Sequence, residues 1–399
     1  MAIRLNAMKR ALKKTGSIYL HCDPTASHYL KMIMDAIFSE KNFRNEIIWH
    51  YLGSSITAAE RIFPRKHDVI FFYSASPKYT FNQIRESKLS IHMEKRWGKY
   101  LEPDGKTVLY ESIKHESKEE SRSRKRITKK FGRSPIDSDI AFEAKPSLIR
   151  SVWTDIPEVR NNTKYKESLG YPTQKPIDLL KRIILASSNK GDLVFDPFCG
   201  CGTTLHAAEE LKRKWIGIDI SQFSAGLVRN RLLNNFTYLD RKNIPVLGCP
   251  LTIADAEDLA GSDRFEFEKW ACGEVGAQGL YHEPGERGSD GGVDGVIPFY
   301  YSKEGLGGGS PEKTFAVVQV KSGKVNPDNV KALSTTVRQS GAKCGVFICF
   351  EKYMNTVENN REKKKLKDWT GEFNFIQGLS VERIINGEMP NIPGLRKAA

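Results

Sequence analysis

The segment that most narrows what this chain can fold into is a nine-residue string, Asp196-Pro197-Phe198-Cys199-Gly200-Cys201-Gly202-Thr203-Thr204. It leaves the short apolar run Asp192 to Phe195, which has the length of a buried strand, and opens a segment of helical spacing from Thr203 to Arg213. A second apolar run, Trp215 to Ile220, follows with Asp219 at its tip. Strand, Gly-rich loop, helix and strand make a β-α-β unit, and the fold class is α/β. The two glycines allow the backbone to approach a ligand at the helix N-terminus, and a carboxylate about twenty residues on can take a ribose diol. A nucleoside is implied. No GxGxxG is present, and Asp196 would set a negative charge against a pyrophosphate. Adenosine joined to a cationic amino acid, as in S-adenosylmethionine, suits this loop better. The alternative is a Gly-rich turn with Asp196 as an ordinary helix cap.

The N-terminal half carries the same rhythm. Ser17 to Cys22, Glu46 to Tyr51 and Asp68 to Ser74 are short β-rich runs, and Ser27 to Phe38 spaces Tyr29, Leu30, Ile33, Met34 and Ile37 as a helix. From Lys78 to Arg133 the pattern dissolves into sixteen Lys and Arg against eight Asp and Glu, ending in SRSRKRITKKFGR, with Trp97, Tyr100 and Tyr110 interleaved. That charge marks an insertion, and its bland reading is a solvated run. Helical spacing returns from Gln174 to Ser187. After Asn243 comes a join, IPVLGCP, and beyond it a new set: helix Arg264 to Cys272, strand Val293 to Tyr301, a Gly-rich turn near Gly305 to Ser310, strand Thr314 to Lys321, helix Asp328 to Ser340 and strand Lys343 to Phe350. The organisation expected is 1–245, a linker at 246–262, and a separate small α/β domain at 263–399.

Charge and cysteine usage limit the partners. Sixty-two Lys and Arg against 48 Asp and Glu leave a net +14, which points to a polyanion, nucleic acid first. The seven cysteines are scattered without zinc spacing, as expected of thiols in a reducing cytoplasm. No apolar stretch approaches the ~18 residues of a bilayer span, so no membrane role is expected.

A second constellation lies in the last domain: Gly291-Gly292-Val293-Asp294, then Gln319-Val320-Lys321 on the next long strand, with Glu268 on the preceding helix. Gln319 and Lys321, two residues apart in a strand, share a face. An Asp and a Gln beside a Lys on adjacent strands supply oxygen ligands for Mg²⁺ and a cation for the attacking water, the needs of metal-assisted phosphodiester hydrolysis. The bland reading is a surface hairpin with a stray Gln-x-Lys.

Two resemblances follow from these residues. The Asp196 to Thr204 string resembles the cofactor motif of the beta-class DNA amino-methyltransferases. Thr173-Gln174-Lys175-Pro176, Gly16 to Asp23, Asn45 to Trp49 and His67 to Ile70 resemble further segments of that class, over about the first 245 residues. The resemblance implies a Rossmann-like domain, with S-adenosylmethionine held by Asp196, Phe198, Gly200, Gly202, Thr203 and Asp219. Lys175 and Pro176 would close over its methionine end. It implies double-stranded DNA as partner, with a target-recognition insertion at about 78–165 in which Arg122, Arg124, Lys125, Arg126, Lys129 and Lys130 meet phosphates. A homodimer is compatible. The class signature, Asp or Asn, two prolines and an aromatic residue, occurs nowhere in the 399 residues. The expectation is therefore an N-terminally truncated domain that binds cofactor weakly or not at all and transfers no methyl group to adenine or cytosine.

Glu268 in FEFEKW, Asp294 after Gly-Gly-Val, Gln319-Val320-Lys321 and Gly345 to Ile348 resemble the Mrr-like branch of the PD-(D/E)xK nucleases, over about Arg264 to Phe350. By that resemblance Asp294, the Val320 carbonyl and Gln319 would hold Mg²⁺, Lys321 would act on the water, and Glu268 would be accessory. Asp290 is the rival of Asp294. The leading reading is a restriction-modification polypeptide joining a methyltransferase to an endonuclease. The alternative is a nuclease-only effector with a degenerate methyltransferase module.

Overall fold

The computed structural model describes the chain except for residues 52–62, 64, 87–93, 96–97, 99–100, 102–106, 110–127, 131, 134–140, 160–172, 280–291, 302–311, 369–370 and 394–399. The described chain forms two compact units, Met1–Pro157 with Arg182–Ser188, and Glu158–Lys181 with Asn189–Ala399.

The first unit opens with helix α1 (Ala2–Ala11), which the sequence reading missed, then strand β1 (Ser17–Cys22) and helix α2 (Pro24–Phe38). The second helix starts three residues earlier than its apolar spacing suggests. The Asp23 carboxylate accepts from the Thr25 and Ala26 amides, and Pro24 sits where no N–H is needed. Strands β2 (Phe43–His50) and β3 (His67–Ser74) follow, then β4 (Thr107–Leu109), β5 (Ala141–Glu143) and β6 (Val152–Trp153). The main sheet runs β1-β3-β2-β6, with β3 antiparallel to both its neighbours and β2 parallel to β6. Leu5, Met34, Phe38, Val69, Phe71 and Tyr73 close its core. In the basic insertion, β4 and β5 pair antiparallel.

The second unit takes the start of helix α3 (Ile177–Ser187), then strand β7 (Leu193–Asp196), helix α4 (Thr203–Glu210), strand β8 (Lys214–Gly217) and helix α5 (Gln222–Asn235). β7 and β8 pair in parallel, as the β-α-β reading requires. Residues 253–262 are helical, α6 (Ile253–Ser262), started by a reciprocal bond pair between Thr252 and Asp255. Next come α7 (Arg264–Glu274), β9 (Gln278–Gly279), β10 (Gly295–Tyr301), β11 (Glu312–Val320), α8 (Pro327–Gln339) and β12 (Cys344–Cys349). Three further strands, β13 (Lys365–Asp368), β14 (Gly371–Asn374) and β15 (Ile376–Ser380), complete the set. The five-stranded sheet is ordered β15-β12-β11-β10-β9, mixed, with β11, β12 and β15 parallel. The turn expected near Gly305 to Ser310 lies outside the described residues.

Helix α5 joins the two halves of this unit. Cys201, Phe223 and Leu227 belong to the same buried cluster as Phe267, Trp270, Ala271, Ile297, Val318 and Val320. Its other side packs Val228 and Leu232 against Leu205 and Ile244. Where α5 meets α7, the Asn230 amide donates to the carbonyls of Gly273 and Glu274, both at 3.1 Å. Arg229 Nη1 donates to both Glu274 oxygens at 3.0 and 2.9 Å, with the two side chains 6% and 3% exposed. Arg241 closes on Glu274 at 2.5 Å. Breaking a buried pair of this kind by removing one partner costs about 3 to 5 kcal/mol.

Candidate functional site

The loop leaving β7 is braced by two carboxylates. Asp196 accepts from the Phe198 amide at 3.0 Å and from the Thr204 hydroxyl at 2.5 Å. Asp219 accepts from the Gly200 amide at 2.8 Å and the Ser221 amide at 3.0 Å. Asp196 is therefore not the helix cap: Gly202 holds that position, with φ 76° and no side-chain cap bond. Glycine is required there twice over, because a β-carbon would also stand 2.8 Å from a methyl of Val228. The result is a helix start with no side-chain cap bond, in a loop that carries the half-exposed ring of Phe198, with the almost fully exposed Ile220 following β8. A ribose would share the Asp219 carboxylate with two backbone amides, and each oxygen has a lone pair to spare. Lys175 is half-buried and Pro176 buried immediately before α3, which is tied to α4 by the Lys181 to Glu210 ion pair at 2.6 Å.

One residue that holds this loop was missed. Arg231, only 5% exposed, donates from Nη1 to the Thr203 hydroxyl at 3.0 Å and the Cys201 carbonyl at 3.4 Å, and from Nε to His206 Nδ1 at 3.1 Å. Burial, and then the Arg231 charge, push His206 down to about 4, so it is a neutral acceptor. The available signal was an arginine flanked closely by Leu227-Val228 and Leu232-Leu233.

The second constellation is brought together. The Asp294 amide bonds the Val318 carbonyl at 2.9 Å just before β10, and its carboxylate turns back to accept from the Val320 amide at 2.7 Å. Asp294 thus caps the end of β11, where Lys321 follows. Gln319 is 5% exposed, and its buried Oε1 has no hydrogen-bond partner among the described residues. Its amide nitrogen lies against Gly292, where a β-carbon would come within 2.8 Å. Glu268, on α7, is 13% exposed and accepts from Arg264 Nε at 2.8 Å. Desolvation, with the neighbouring Glu268 charge, pushes Asp294 up to about 6, against the pull of the Val320 amide, Lys321 and Arg264. Among the described residues no group of three or more His, Cys, Asp or Glu could hold a metal ion. The donor set here is instead two carboxylates and an amide oxygen. A buried acceptor without a donor among the described residues, on the strand whose end is capped by a carboxylate with an elevated pKa, is donor chemistry that fits a hard cation taking its remaining ligands from phosphate and water.

Asp290 lies outside the described residues. So do Arg122, Arg124, Lys125 and Arg126, and the aromatic residues Trp97, Tyr100 and Tyr110. Lys129 and Lys130 are exposed in a helical turn at 128–130. All seven cysteines are free thiols, and no helix among the described residues is long and apolar enough to cross a membrane.

Known proteins match this arrangement in two blocks. A family model described as DNA methylase matches residues 1–228, and another, described as restriction endonuclease, matches 259–372. The first covers more than half of the chain, so the chain belongs to the DNA methylase family, and it carries a restriction endonuclease domain after it. It is 31% identical over 270 residues to the Type II methyltransferase M.EcaI of Enterobacter cloacae, covering 58% of this chain and 56% of that one. It is 28% identical over 246 residues to the Type II methyltransferase M.HpaI of Haemophilus parainfluenzae, covering 62% of each. Over 86 residues, 21% of this chain and 30% of the relative, it is 52% identical to the Type II methyltransferase M2.DpnII of Streptococcus pneumoniae. The chain spans less than two thirds of the length of each of these relatives.

Proposed function

We propose that this chain is the DNA-cutting arm of a restriction-modification system, a Mg²⁺-dependent endodeoxyribonuclease joined to a methyltransferase half that holds S-adenosylmethionine. The observation that carries the nuclease is the buried Gln319 Oε1, without a hydrogen-bond partner among the described residues, on the strand whose end Asp294 caps, with Glu268 and Lys321 within electrostatic reach of that carboxylate. Bound Mg²⁺ would polarise the scissile phosphate and lower the pKa of an attacking water. Asp294, Gln319 and the Val320 carbonyl would hold it, with Glu268 accessory. Lys321 positions the attacking water and steadies the charge that develops as it loses a proton. The basic insertion supplies phosphate contacts that set register on the duplex.

In the methyltransferase half, Asp219 would take the ribose diol, Phe198 and Ile220 the adenine faces, and the uncapped start of α4 the amino-acid carboxylate. S-adenosylmethionine supplies the sulfonium methyl for an exocyclic amine of adenine or cytosine. No Asp-Pro-Pro-aromatic segment stands in these residues to hold that amine. That observation favours a second reading, in which this half senses cofactor or binds DNA without transferring a methyl group. The cytoplasm suits the seven free thiols.

The test is cleavage of supercoiled plasmid by the full chain with Mg²⁺, with Mn²⁺ and with chelator, beside methyl incorporation from labelled S-adenosylmethionine. Metal-dependent nicking lost in Asp294→Asn and Lys321→Ala, with DNA binding kept, is the expected outcome. Cleavage that survives chelator would overturn the metal assignment. Labelled methyl groups on DNA, above an Asp196→Ala control, would overturn the second reading.

A further inference from the structure

Arg264 occupies a position that helix energetics disfavour. It is the first residue of α7, where the positive end of the helix dipole repels a cation. It also stands four residues before its partner Glu268, the weaker orientation for an i,i+4 pair. Its side chain is 58% exposed, whereas Glu268 is 13% exposed and faces inward. The guanidinium is close enough to Asp294 for the two charges to act on each other. A cation therefore stands at the open rim of the nuclease centre, restrained by one of the centre's own carboxylates.

We propose that Arg264 binds the scissile phosphodiester, and that Glu268 holds it in check until a divalent cation competes for that carboxylate. The inference rests on the nuclease reading given above. Hydrolysis adds water across a P–O bond: the water oxygen bonds phosphorus, the ester bond breaks, the water yields one proton and the departing alkoxide gains one. The phosphoryl oxygens carry added negative charge while this happens. A planar guanidinium meets two of those oxygens at once, which an ammonium does not. Were Glu268 to turn toward a bound cation, its bond to Arg264 would weaken and the guanidinium would be free to meet phosphate. Arg264 and the cation thus compete for Glu268 and cooperate on the substrate.

That competition separates this role from a structural one. In the full chain, Arg264→Met should bind Mn²⁺ more tightly than the native protein in calorimetry, because Glu268 loses its rival. The same variant should cleave plasmid about 10- to 100-fold more slowly at saturating DNA and metal, the usual cost of removing one charge-stabilising donor. DNA affinity should stay within about threefold, since one phosphate contact among several is lost. Arg264→Lys should restore part of the rate. Slow cleavage with unchanged or weakened Mn²⁺ binding would make Arg264 a structural residue and overturn the proposal, as would native-rate cleavage by Arg264→Met. A native chain that binds DNA and Mn²⁺ yet never cleaves would instead sink the nuclease reading, and this proposal with it.

Discussion

A β-carbon on Gly226 would stand 2.3 Å from the carbonyl carbon of Gly273, so α5 and α7 cross backbone against backbone. The reverse contact is also too close for a β-carbon, which on Gly273 would fall 2.8 Å from the Phe223 carbonyl oxygen. Both obstacles are main chain and cannot rotate away. Gly226→Ala should therefore destabilise the protein by about 3 kcal/mol, at the upper end of overpacking costs. Urea unfolding followed at the cofactor half and at the nuclease should show both midpoints falling together. Separate transitions, with only one displaced, would contradict a shared core.

The Asp294 carboxylate predicts a stability that falls as pH rises. Its folded-state value is pushed up to about 6, above the ordinary carboxylate range near 4. Between those values the folded chain keeps a proton that the unfolded chain has released. Stability of the metal-free protein should thus decline as pH rises from about 4 to about 6, by about 2 to 3 kcal/mol. Asp294→Asn should remove that decline and raise the melting temperature at pH 7.5. A denaturation series across this window, on native chain and variant, decides it.

His206 predicts the opposite slope. Its value is pushed down to about 4, so on acidification the unfolded chain takes up a proton that the folded chain refuses. Stability should be lost as pH falls from about 6.5 through 4, by about 2 kcal/mol after allowance for partial solvent screening. His206→Asn keeps an acceptor for Arg231 and does not titrate. Its acid melting curve should be flatter than that of the native chain, and an equally steep one would remove His206 as the cause.

Asp219 ties the loop and is assigned the ribose, so its loss should be felt in binding. Asp219→Ala should weaken S-adenosylhomocysteine binding by about 1 to 3 kcal/mol, the range for a charged hydrogen bond. Calorimetry reads it directly. Equal affinity in native and variant would move the nucleoside elsewhere.

The sequence was most legible where strands and functional residues coincide. Apolar runs located β1, β2, β3, β7, β10, β11 and β12 to within three residues at each end, and the pairing of Asp294 with the end of β11 followed from their order. Helix boundaries moved where a cap, rather than apolar spacing, starts the turn, as Asp23 does for α2. Helix α5 was missed for a different reason. It is buried on two sides and carries Arg229 and Arg231 inside, so no polar stripe marks its period. The same burial hid the role of Arg231. The segment 253–262 read as linker, although Thr252 and Asp255 stand at the spacing of a helix start. The small strands after residue 360 are lysine-rich or short, and their alternation is too brief to read.

The core shared through α5 bears on how such a gene can change. The two family matches end and begin at 228 and 259, and a recombination event between them would look harmless in the sequence. In the folded chain it would part Arg229 and Asn230 from Glu274 and Gly273 and strip α7 of the helix it packs on. An exchange that keeps α5 with α7 would carry everything from Gln222 onward with the nuclease, and would give up the Arg231 bonds to Thr203 and His206. The heritable module is therefore not the enzyme domain that a sequence comparison outlines. A lineage could retire the methyl-transfer chemistry while still being obliged to keep its final helix, as part of the body of the nuclease.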